Sequence, residues 1–159
     1  KVDDYIEGGG TAGTVKEIQI FNTILISPDN KTIIVPNAKM TSDKIVNYAQ
    51  QGTRRVDMTF GIAYDSDIDH AKNILWDILN NDPRILPEPK PMVVVLALAD
   101  SSVNIACRPW VNAADYWDFY FDMTETVKKR FDAGGITIPF PQRDVHVYSS
   151  QPEKSFAAA

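Results

Sequence analysis

The sequence predicts an α+β chain, with a small five-stranded β barrel, then a βαββαβ unit, then one further C-terminal strand. Three observations support this order. Short β-branched runs separated by turn residues fill residues 1–53. Two long segments within residues 66–133 carry apolar residues at helical spacing. An alternating segment at 144–148 follows the last turn. We therefore expect a β domain at 1–53, an α/β domain at 54–141, and a terminal strand with a loose tail at 142–159.

The first domain is organised around residues 13–48, where β-branched runs alternate with turn residues. Pro28 favours a reversal within residues 27–30, because it fixes φ at the first corner of a turn. Pro36 ends a run, since it has no amide hydrogen, and Asn37 is expected to cap a short helical turn. Strands this short bury one face only by curling, which favours an Sm-like or SH3-like barrel. The expected strands lie at Tyr5-Ile6, Val15 to Phe21, Ile24 to Ile26, Thr32 to Val35 and Lys44 to Tyr48.

The second domain begins with strict alternation from Arg54, which is typical of a half-buried strand. Ser66 is expected to cap the helix that follows, with Asp69 three residues later and Asp67 also in the first turn. Asp82-Pro83 is expected to end this helix. Its apolar stripe comprises Ile68, Ala71, Ile74, Leu75, Ile78 and Leu79.

The rest of the second domain is expected to contain an irregular loop at 83–91, a hairpin of strands at 92–98 and 103–111, and a second helix at 115–133. Pro109 indicates an edge or a bulge in its strand. Gly134-Gly135 is expected to close the helix with a left-handed residue. A brief strand, Ile136 to Phe140, completes the order of a ferredoxin-like fold.

Composition excludes several classes of protein. A formal charge of −5 argues against a nucleic-acid partner, because binding to phosphate backbones depends on clustered Lys and Arg. The longest apolar run, Met92 to Ala99, is far shorter than the ~20 residues of a spanning helix. The single cysteine, Cys107, cannot form an internal disulfide and is expected to be a small buried hydrophobe. The start at Lys1, without Met, suggests a fragment.

No catalytic, metal or cofactor site is predicted, and the chain is not expected to be an enzyme. The acids of residues 65–69 resemble the opening of a calcium loop, but His70 replaces its glycine and Trp76 its last glutamate. Helix capping is the preferred interpretation of these acids. The two histidines, His70 and His146, lie in different domains and give no metal-binding pattern.

The blocks GTVKEIQIF, IIVPN, IVNY, RRVDMTFGIAYDSDID, RFDAGGITIPFPQ and DVHV occur in this order over most of the chain. Together they resemble the small-conductance mechanosensitive channel family, known as MscS. The resemblance implies a homoheptamer whose β domains pack under a pore and whose α/β domains form a cage with side portals. In that family the last strand joins its copies in a small barrel, and membrane helices, absent from this chain, precede the β domain.

The same resemblance implies a place on the cytoplasmic side of the inner membrane in the full-length protein, with lipid contacted only through those helices. The fragment is expected to be soluble by itself. Its implied role is to filter ions and small solutes during the release of osmotic pressure. Two alternatives stay open from the residues: an Sm-like RNA-binding ring, and a ferredoxin-like sensor of a small ligand.

Candidate site residues fall into two groups. Aromatic residues outside the helical stripes are either partly buried under loops or contacts between subunits, since aromatic residues are enriched at interface cores. The terminal strand joins them as a candidate interface. This interface comprises Trp76, Trp117, Phe121, Val145, His146, Val147 and Tyr148. Candidate portal or vestibule charges are Arg54, Arg55, Asp65 and Asp67.

Overall fold

The computed structural model describes residues 1–148. The β-branched runs of the first 50 residues form one antiparallel sheet of five strands in the order β4-β3-β2-β1-β5. One face of the sheet, together with a short helix, encloses a small core of Ile6, Val15, Leu25, Val35 and Met40. The elements are β1 (Tyr5–Gly8), β2 (Thr11–Ile18), β3 (Asn22–Ile26), β4 (Thr32–Pro36), α1 (Asn37–Thr41) and β5 (Val46–Asn47).

Asn37 has a different role from the one predicted. α1 has no side-chain cap, and the Asn37 side chain instead accepts a hydrogen bond of 2.8 Å from the Thr23 hydroxyl. Its amide nitrogen donates to the carbonyl oxygens of Gln19 and Ile20, at 2.9 Å and 3.1 Å. Asn37 therefore fixes the turn between β2 and β3. The predicted capping role is wrong, because this turn takes the side-chain groups that would have capped the helix.

The second unit contains strands, two long helices and a short 3-10 turn. Its strands form a three-stranded antiparallel sheet in the order β7-β9-β8 and a two-stranded ribbon, β10-β6. The elements are β6 (Thr53–Arg55), β7 (Met58–Ile62), α2 (Ile68–Asn81), β8 (Met92–Leu98), β9 (Val103–Arg108), β10 (Trp110–Asn112), the turn Ala113–Asp115 and α3 (Tyr116–Ala133).

Two strands that the sequence predicts as continuous are each interrupted. β6 and β7 are separated by Val56 and Asp57, and β9 and β10 by Pro109. The interruptions face each other, and the Val56 amide donates to the Pro109 carbonyl oxygen at 2.9 Å. Proline has no amide hydrogen for a ladder, so the expected irregularity at Pro109 takes the form of a break. The ribbon and the three-stranded sheet are therefore two parts of one bent pairing.

α2 and α3 bury the faces that their apolar periodicity predicts. Ala71, Leu75 and Leu79 of α2 are buried, as are Phe119 and Phe131 of α3, in a single core with the three-stranded sheet. Phe131 also meets Phe60 of β7 edge to face, with ring centroids 6.3 Å apart. Each helix therefore packs with most of its apolar stripe inward, but Ile68, predicted as part of the α2 stripe, is exposed at the first residue of the helix.

The N-cap of α2 lies one residue later than predicted. Asp67, not Ser66, is the N-cap, and its carboxylate accepts a hydrogen bond of 2.9 Å from the His70 amide. The Ser66 hydroxyl instead accepts from the Thr137 amide at 3.3 Å. The capping interpretation of the acidic cluster is confirmed, with the role moved to the neighbouring acid.

α3 ends as its two glycines predict. Gly135 has a φ of +70°, the left-handed conformation that glycine adopts at low cost. The amide of Ile136 donates to the carbonyl oxygen of Phe131 at 2.9 Å, which satisfies a carbonyl in the last turn of the helix. The chain then leaves α3 in a fixed direction, with Ile136 buried in the core.

The strand expected at Ile136 to Phe140 is not formed, and that prediction is wrong. Within the described residues, the backbone of Thr137 makes two hydrogen bonds: its carbonyl oxygen accepts from the Ala63 amide at 2.8 Å, and its amide donates to the Ser66 hydroxyl at 3.3 Å. Pro139 and Pro141 have no amide hydrogen, so a ladder cannot continue there. The strand expected at Lys44 to Tyr48 is reduced to the two residues of β5.

Residues 141–148 form no strand within the described part of the chain. The three large side chains Val145, Val147 and Tyr148 are exposed. The rest of the predicted tail, 149–159, lies outside the described residues. Among the described helices, none combines the length and the apolar character that crossing a membrane would require.

Candidate functional site

Arg54 lies between two aromatic rings from different parts of the chain. Its guanidinium carbon is 3.6 Å from the ring centroid of Tyr116 at the start of α3 and 4.9 Å from that of Tyr48. Cations over aromatic faces are stabilised by the ring quadrupole, more strongly where water is excluded. Arg54, predicted as a portal charge, is therefore half-buried and joins the first unit to the second.

Tyr48 is itself held in place by the first sheet. Its ring lies 6.0 Å from that of Tyr5, and its hydroxyl donates a hydrogen bond of 2.9 Å to a Glu7 carboxylate oxygen. That bond to the carboxylate is the main cause of a raised pKa for the Tyr48 hydroxyl. The ring that contacts Arg54 is thus positioned by two residues of β1.

Arg55 points to a different set of partners. Its guanidinium donates two hydrogen bonds to Asp57, at 2.6 Å and 3.0 Å, and Arg108 lies 3.7 Å from the same carboxylate. The hydrogen bond from Arg55 is the main cause of a lowered pKa for Asp57. The predicted charge at Arg55 is therefore one member of an exposed cluster of three charged groups at the break between β6 and β7.

The two acids predicted as portal charges lie in the loop before α2. Asp65 is exposed, and Asp67 is exposed while capping the helix. The structure does not bring these acids to Arg54. The four predicted charges therefore occupy separate places, with one between aromatic rings, one in the Asp57 cluster and two in the loop.

Trp117 and Phe121 form an exposed aromatic ridge on α3. Their rings stack at 5.8 Å with an interplanar angle of 24°, and the two residues are 58% and 62% exposed. Tyr116 and Tyr120 contact Trp117 edge to face at 5.0 Å and 5.8 Å. The helical spacing i, i+4 predicted this ridge, and its exposure leaves most of two large apolar side chains in contact with water.

Trp76 differs from the ridge. Its indole is partly buried against the core of the second unit, so packing within the chain accounts for much of its surface. The terminal residues Val145, His146, Val147 and Tyr148 are all exposed. The interface role of all seven candidates stays a prediction.

Sequence reasoning missed other exposed apolar residues. Ile20 and Phe21, in the turn between β2 and β3, are 87% and 78% exposed, although they were expected to belong to a strand. Leu96 and Leu98 are exposed on β8, which is an edge strand of its sheet. The available signal was their position, since a turn or an edge buries less than the middle of a sheet.

Two family models match the chain. One, described as the C-terminal region of the mechanosensitive ion channel MscS, covers residues 56–138. The other, described as the beta-domain of mechanosensitive ion channels, covers residues 1–50. Between them they account for most of the described chain.

Curated proteins of the same kind are similar to the chain. The small-conductance mechanosensitive channel of Edwardsiella ictaluri is 44% identical over 150 residues, covering 94% of this chain and 52% of that protein. An uncharacterised MscS family protein of Synechocystis sp. is 37% identical over 153 residues, covering 96% of this chain and 51% of that protein. The chain therefore spans about half the length of these curated relatives.

Solved structures share the fold. The crystal structure of Helicobacter pylori MscS in its closed state matches with a TM-score of 0.87 and 26% identity, covering 94% of this chain and 60% of that one. The cryo-EM structure of Arabidopsis thaliana MSL1 matches with a TM-score of 0.71 at 16% identity, covering 88% and 53%, which shows the fold alone. The mixed α+β fold of this chain therefore matches part of a known channel subunit.

Proposed function

The chain belongs to the mechanosensitive ion channel family MscS, and from this membership we propose that it is the cytoplasmic vestibule region of a channel subunit. Copies of the chain form a ring-shaped cage with side portals below a pore. The cage filters ions and small solutes while the channel releases osmotic pressure. In the full-length protein it lies on the cytoplasmic side of the inner membrane, and membrane helices outside this chain contact the lipid.

The observation that carries this proposal is the terminal segment, residues 141–148. Residues 144–148 have the alternating pattern of a strand. The segment makes no strand pair within the described residues and leaves Val145 and Val147 75% and 85% exposed. A strand-forming segment without a partner pairs readily with another chain. In the proposed assembly this segment pairs with its copies in a small barrel at the base of the cage.

The proposed domain arrangement is supported by the separation of the five-stranded sheet from the three-stranded sheet and the two-stranded ribbon. Residues 1–53 form the proposed Sm-like β domain, which is supported by the single five-stranded antiparallel sheet and its small core. Residues 54–141 form a ferredoxin-like α/β domain, supported by the strand-helix-strand-strand-helix order and by the common core of α2 and α3. Residues 142–159 form the oligomerisation strand and tail.

The native mass of the purified chain tests the assembly. A heptamer has a mass of about 125 kDa, seven times 17.8 kDa, in light scattering after gel filtration. A chain that stays near 17.8 kDa at high concentration contradicts the proposal. Changing Val145 and Val147 together to Asp places charges on the pairing segment, so it is expected to reduce this mass while far-UV circular dichroism is unchanged.

The Trp117–Phe121 ridge is the second proposed contact between subunits. Exposed apolar surface of this kind is removed from water when copies associate. Trp117→Ser with Phe121→Ser is expected to lower the assembled mass, whereas Asp118→Ser, at an exposed position of the same helical turn, leaves it unchanged. If the two variants have equal assembled masses, the ridge is not part of the interface between subunits.

Charged groups near the portals bias which ions enter the cage. Fields from fixed charges in narrow openings raise the local concentration of counter-ions. The four proposed positions are Arg54, Arg55, Asp65 and Asp67. Charge reversal at Arg55 and at Asp65 in the full-length channel is expected to shift the reversal potential in opposite directions under a salt gradient. Unchanged reversal potentials in both variants would exclude a filtering role for these two groups.

A further inference from the structure

A cleft of about 760 Å³ lies between the two units, on the side where Arg54 bridges Tyr48 and Tyr116. Small-molecule sites in proteins have volumes of about 300–1,000 Å³, are mostly apolar, and are common between domains. The proposed function uses the outer ridge of this region but does not use the cleft. The side chains that give the cleft its chemistry are Asp3, Tyr5, Tyr48, Arg54, Trp117 and Phe121.

Arg54 presents a prepared cation to the cleft. Its guanidinium is flanked by the Tyr48 and Tyr116 rings, so its orientation is fixed while its N–H groups remain at the edge of the plane. Within residues 1–148, no carboxylate oxygen lies within 4.0 Å of this group. A planar guanidinium held in this way matches a carboxylate with two parallel hydrogen bonds.

Asp3 supplies the opposite charge. Its backbone φ is +72°, and its exposed side chain has no ion-pair partner in the described part of the chain. The cleft is thus lined by one cation and one anion, neither of which forms an ion pair within residues 1–148. A ligand that carries both charges complements this lining better than an anion or a cation alone.

The apolar wall restricts the body of the ligand. Trp117 and Phe121 stack on each other, and Tyr5 and Tyr48 form a second aromatic pair across β1 and the segment after β5. Aromatic rings are favoured next to other aromatic rings in offset or edge-to-face contacts. A flat ring attached next to a carboxylate and an ammonium group would stack on this wall while its charged groups face Arg54 and Asp3.

We propose that this cleft binds a small zwitterion with an aromatic body, whose carboxylate is bound by Arg54 and whose ammonium group is drawn to Asp3. The inference goes beyond the proposed channel function. It shares Trp117 and Phe121 with the proposed subunit contact, so binding and native mass must be measured on the same sample.

Isothermal titration with free L-phenylalanine and two analogues tests the proposal. Phenylpropanoate lacks the ammonium group and phenethylamine lacks the carboxylate. Since hydrogen bonds to charged groups contribute about 1.5–3 kcal/mol, each analogue is expected to bind at least about tenfold more weakly than L-phenylalanine. Equal affinities for all three compounds, or no heat with L-phenylalanine at millimolar concentration, would overturn the proposal.

Single substitutions test which charged group of the ligand each residue binds. Arg54→Gln is expected to weaken L-phenylalanine and phenylpropanoate at least about tenfold without changing phenethylamine. Asp3→Asn is expected to weaken L-phenylalanine and phenethylamine without changing phenylpropanoate, and asparagine tolerates the left-handed backbone at this position. Arg55→Gln is the matched control, because the Arg55 side chain bonds to Asp57 outside the cleft lining, and it should leave all three affinities unchanged.

Light scattering on the same samples separates the two proposals. Binding by a monomeric chain would leave this inference intact and remove the assembly proposal. A native ring that gives no heat with L-phenylalanine would have its cleft filled by a neighbouring copy, which overturns this inference alone. Arg54→Lys keeps the charge without the planar fork, and an affinity equal to that of the unchanged chain would contradict the carboxylate geometry.

Discussion

Gly13→Ala probes how closely β2 approaches β3. Gly13 is buried, and a Cβ at this position would lie 2.8 Å from the carbonyl oxygen of Ile26 and 3.1 Å from the Cβ of Leu25. Ordinary carbon contacts begin near ~3.5 Å, so the second contact alone is about 0.4 Å too short. The nearest of these atoms belongs to backbone, and Leu25 is fully buried. The strands must therefore separate to accept the methyl group.

The expected loss of stability follows from two opposing effects. Overpacking a close contact costs about 1–3 kcal/mol. Replacing glycine also lowers the entropy of the unfolded chain, which offsets about 0.4–1 kcal/mol. The net free energy of unfolding should fall by about 1–2 kcal/mol, which for a chain of this length lowers Tm by about 3–6 °C.

Urea unfolding followed by circular dichroism measures this loss, with Gly61→Ala as the matched control. Gly61 is also a strand glycine, but the atoms that a Cβ there would meet nearest are side-chain atoms of Asn104 and Ser102, at 3.2 Å. The Asn104 amide and the Ser102 hydroxyl can rotate away, and the Ser102 Cβ needs to shift by only a few tenths of an ångström. Gly61→Ala should change stability by no more than about 0.5 kcal/mol. If Gly13→Ala is as stable as the Gly61 variant, the contact between β2 and β3 does not limit the size of residue 13.

Three further predictions concern the second unit. Asp67→Ala should destabilise the chain by about 1 kcal/mol in thermal unfolding through loss of the α2 cap, and a larger loss for Ser66→Ala would contradict this assignment. The hydrogen bond from Arg84 lowers the pKa of Asp82 in the folded chain. The stability that this pair contributes is therefore fully present above the ordinary carboxyl pKa of 3.8 and is lost as pH falls below it. Asp82→Asn should then make stability decline less steeply below that pH, and an identical acid profile would refute the role of the pair. Burial raises the pKa of the Cys107 thiol to about 12, so a thiol reagent should label it only after denaturation, and rapid labelling of the native chain would contradict its burial.

Local patterns predicted most of the elements because their causes are local. The apolar spacing of α2 and α3 gave the correct buried faces, and paired glycines gave the correct end of α3. The interior strands of the hairpins were also placed to within a few residues. Periodicity and turn chemistry act over a few residues, so they can be read directly from the chain.

The errors arose where a distant residue decided the outcome. Asn37 was expected to cap a helix, but the turn between β2 and β3, nearly twenty positions earlier in the chain, takes its side chain. The strand expected at Ile136 to Phe140 failed because Ser66 takes the Thr137 amide and the prolines provide none. Sequence spacing alone does not show which distant groups will form hydrogen bonds with the Asn37 side chain and the Thr137 amide.

In the candidate site, too, the features set by local spacing were predicted and those set by distant residues were not. Trp117 and Phe121 were identified as lying outside the apolar stripe of α3, and the structure of residues 1–148 shows them exposed and not buried under a loop. The contacts of Arg54 with Tyr48 and Tyr116 were not found, since Tyr116 lies more than sixty positions away along the chain. Its charge was noticed, but the rings that orient that charge depend on how the two units meet.

The opposed breaks in the second unit have a mechanical consequence. β6 continues directly from the segment that leaves the first unit, and beyond Asp57 and Pro109 the ladder resumes as β7 and β9. At the breaks the two strand pairs are joined by the backbone hydrogen bond from Val56 to Pro109, while the side chains of Val56 and Val111 are buried in the core of the second unit. Because both strand pairs contribute to this core, force applied at the β6–β10 ribbon would pass into the second unit through side-chain packing as well as through this bond.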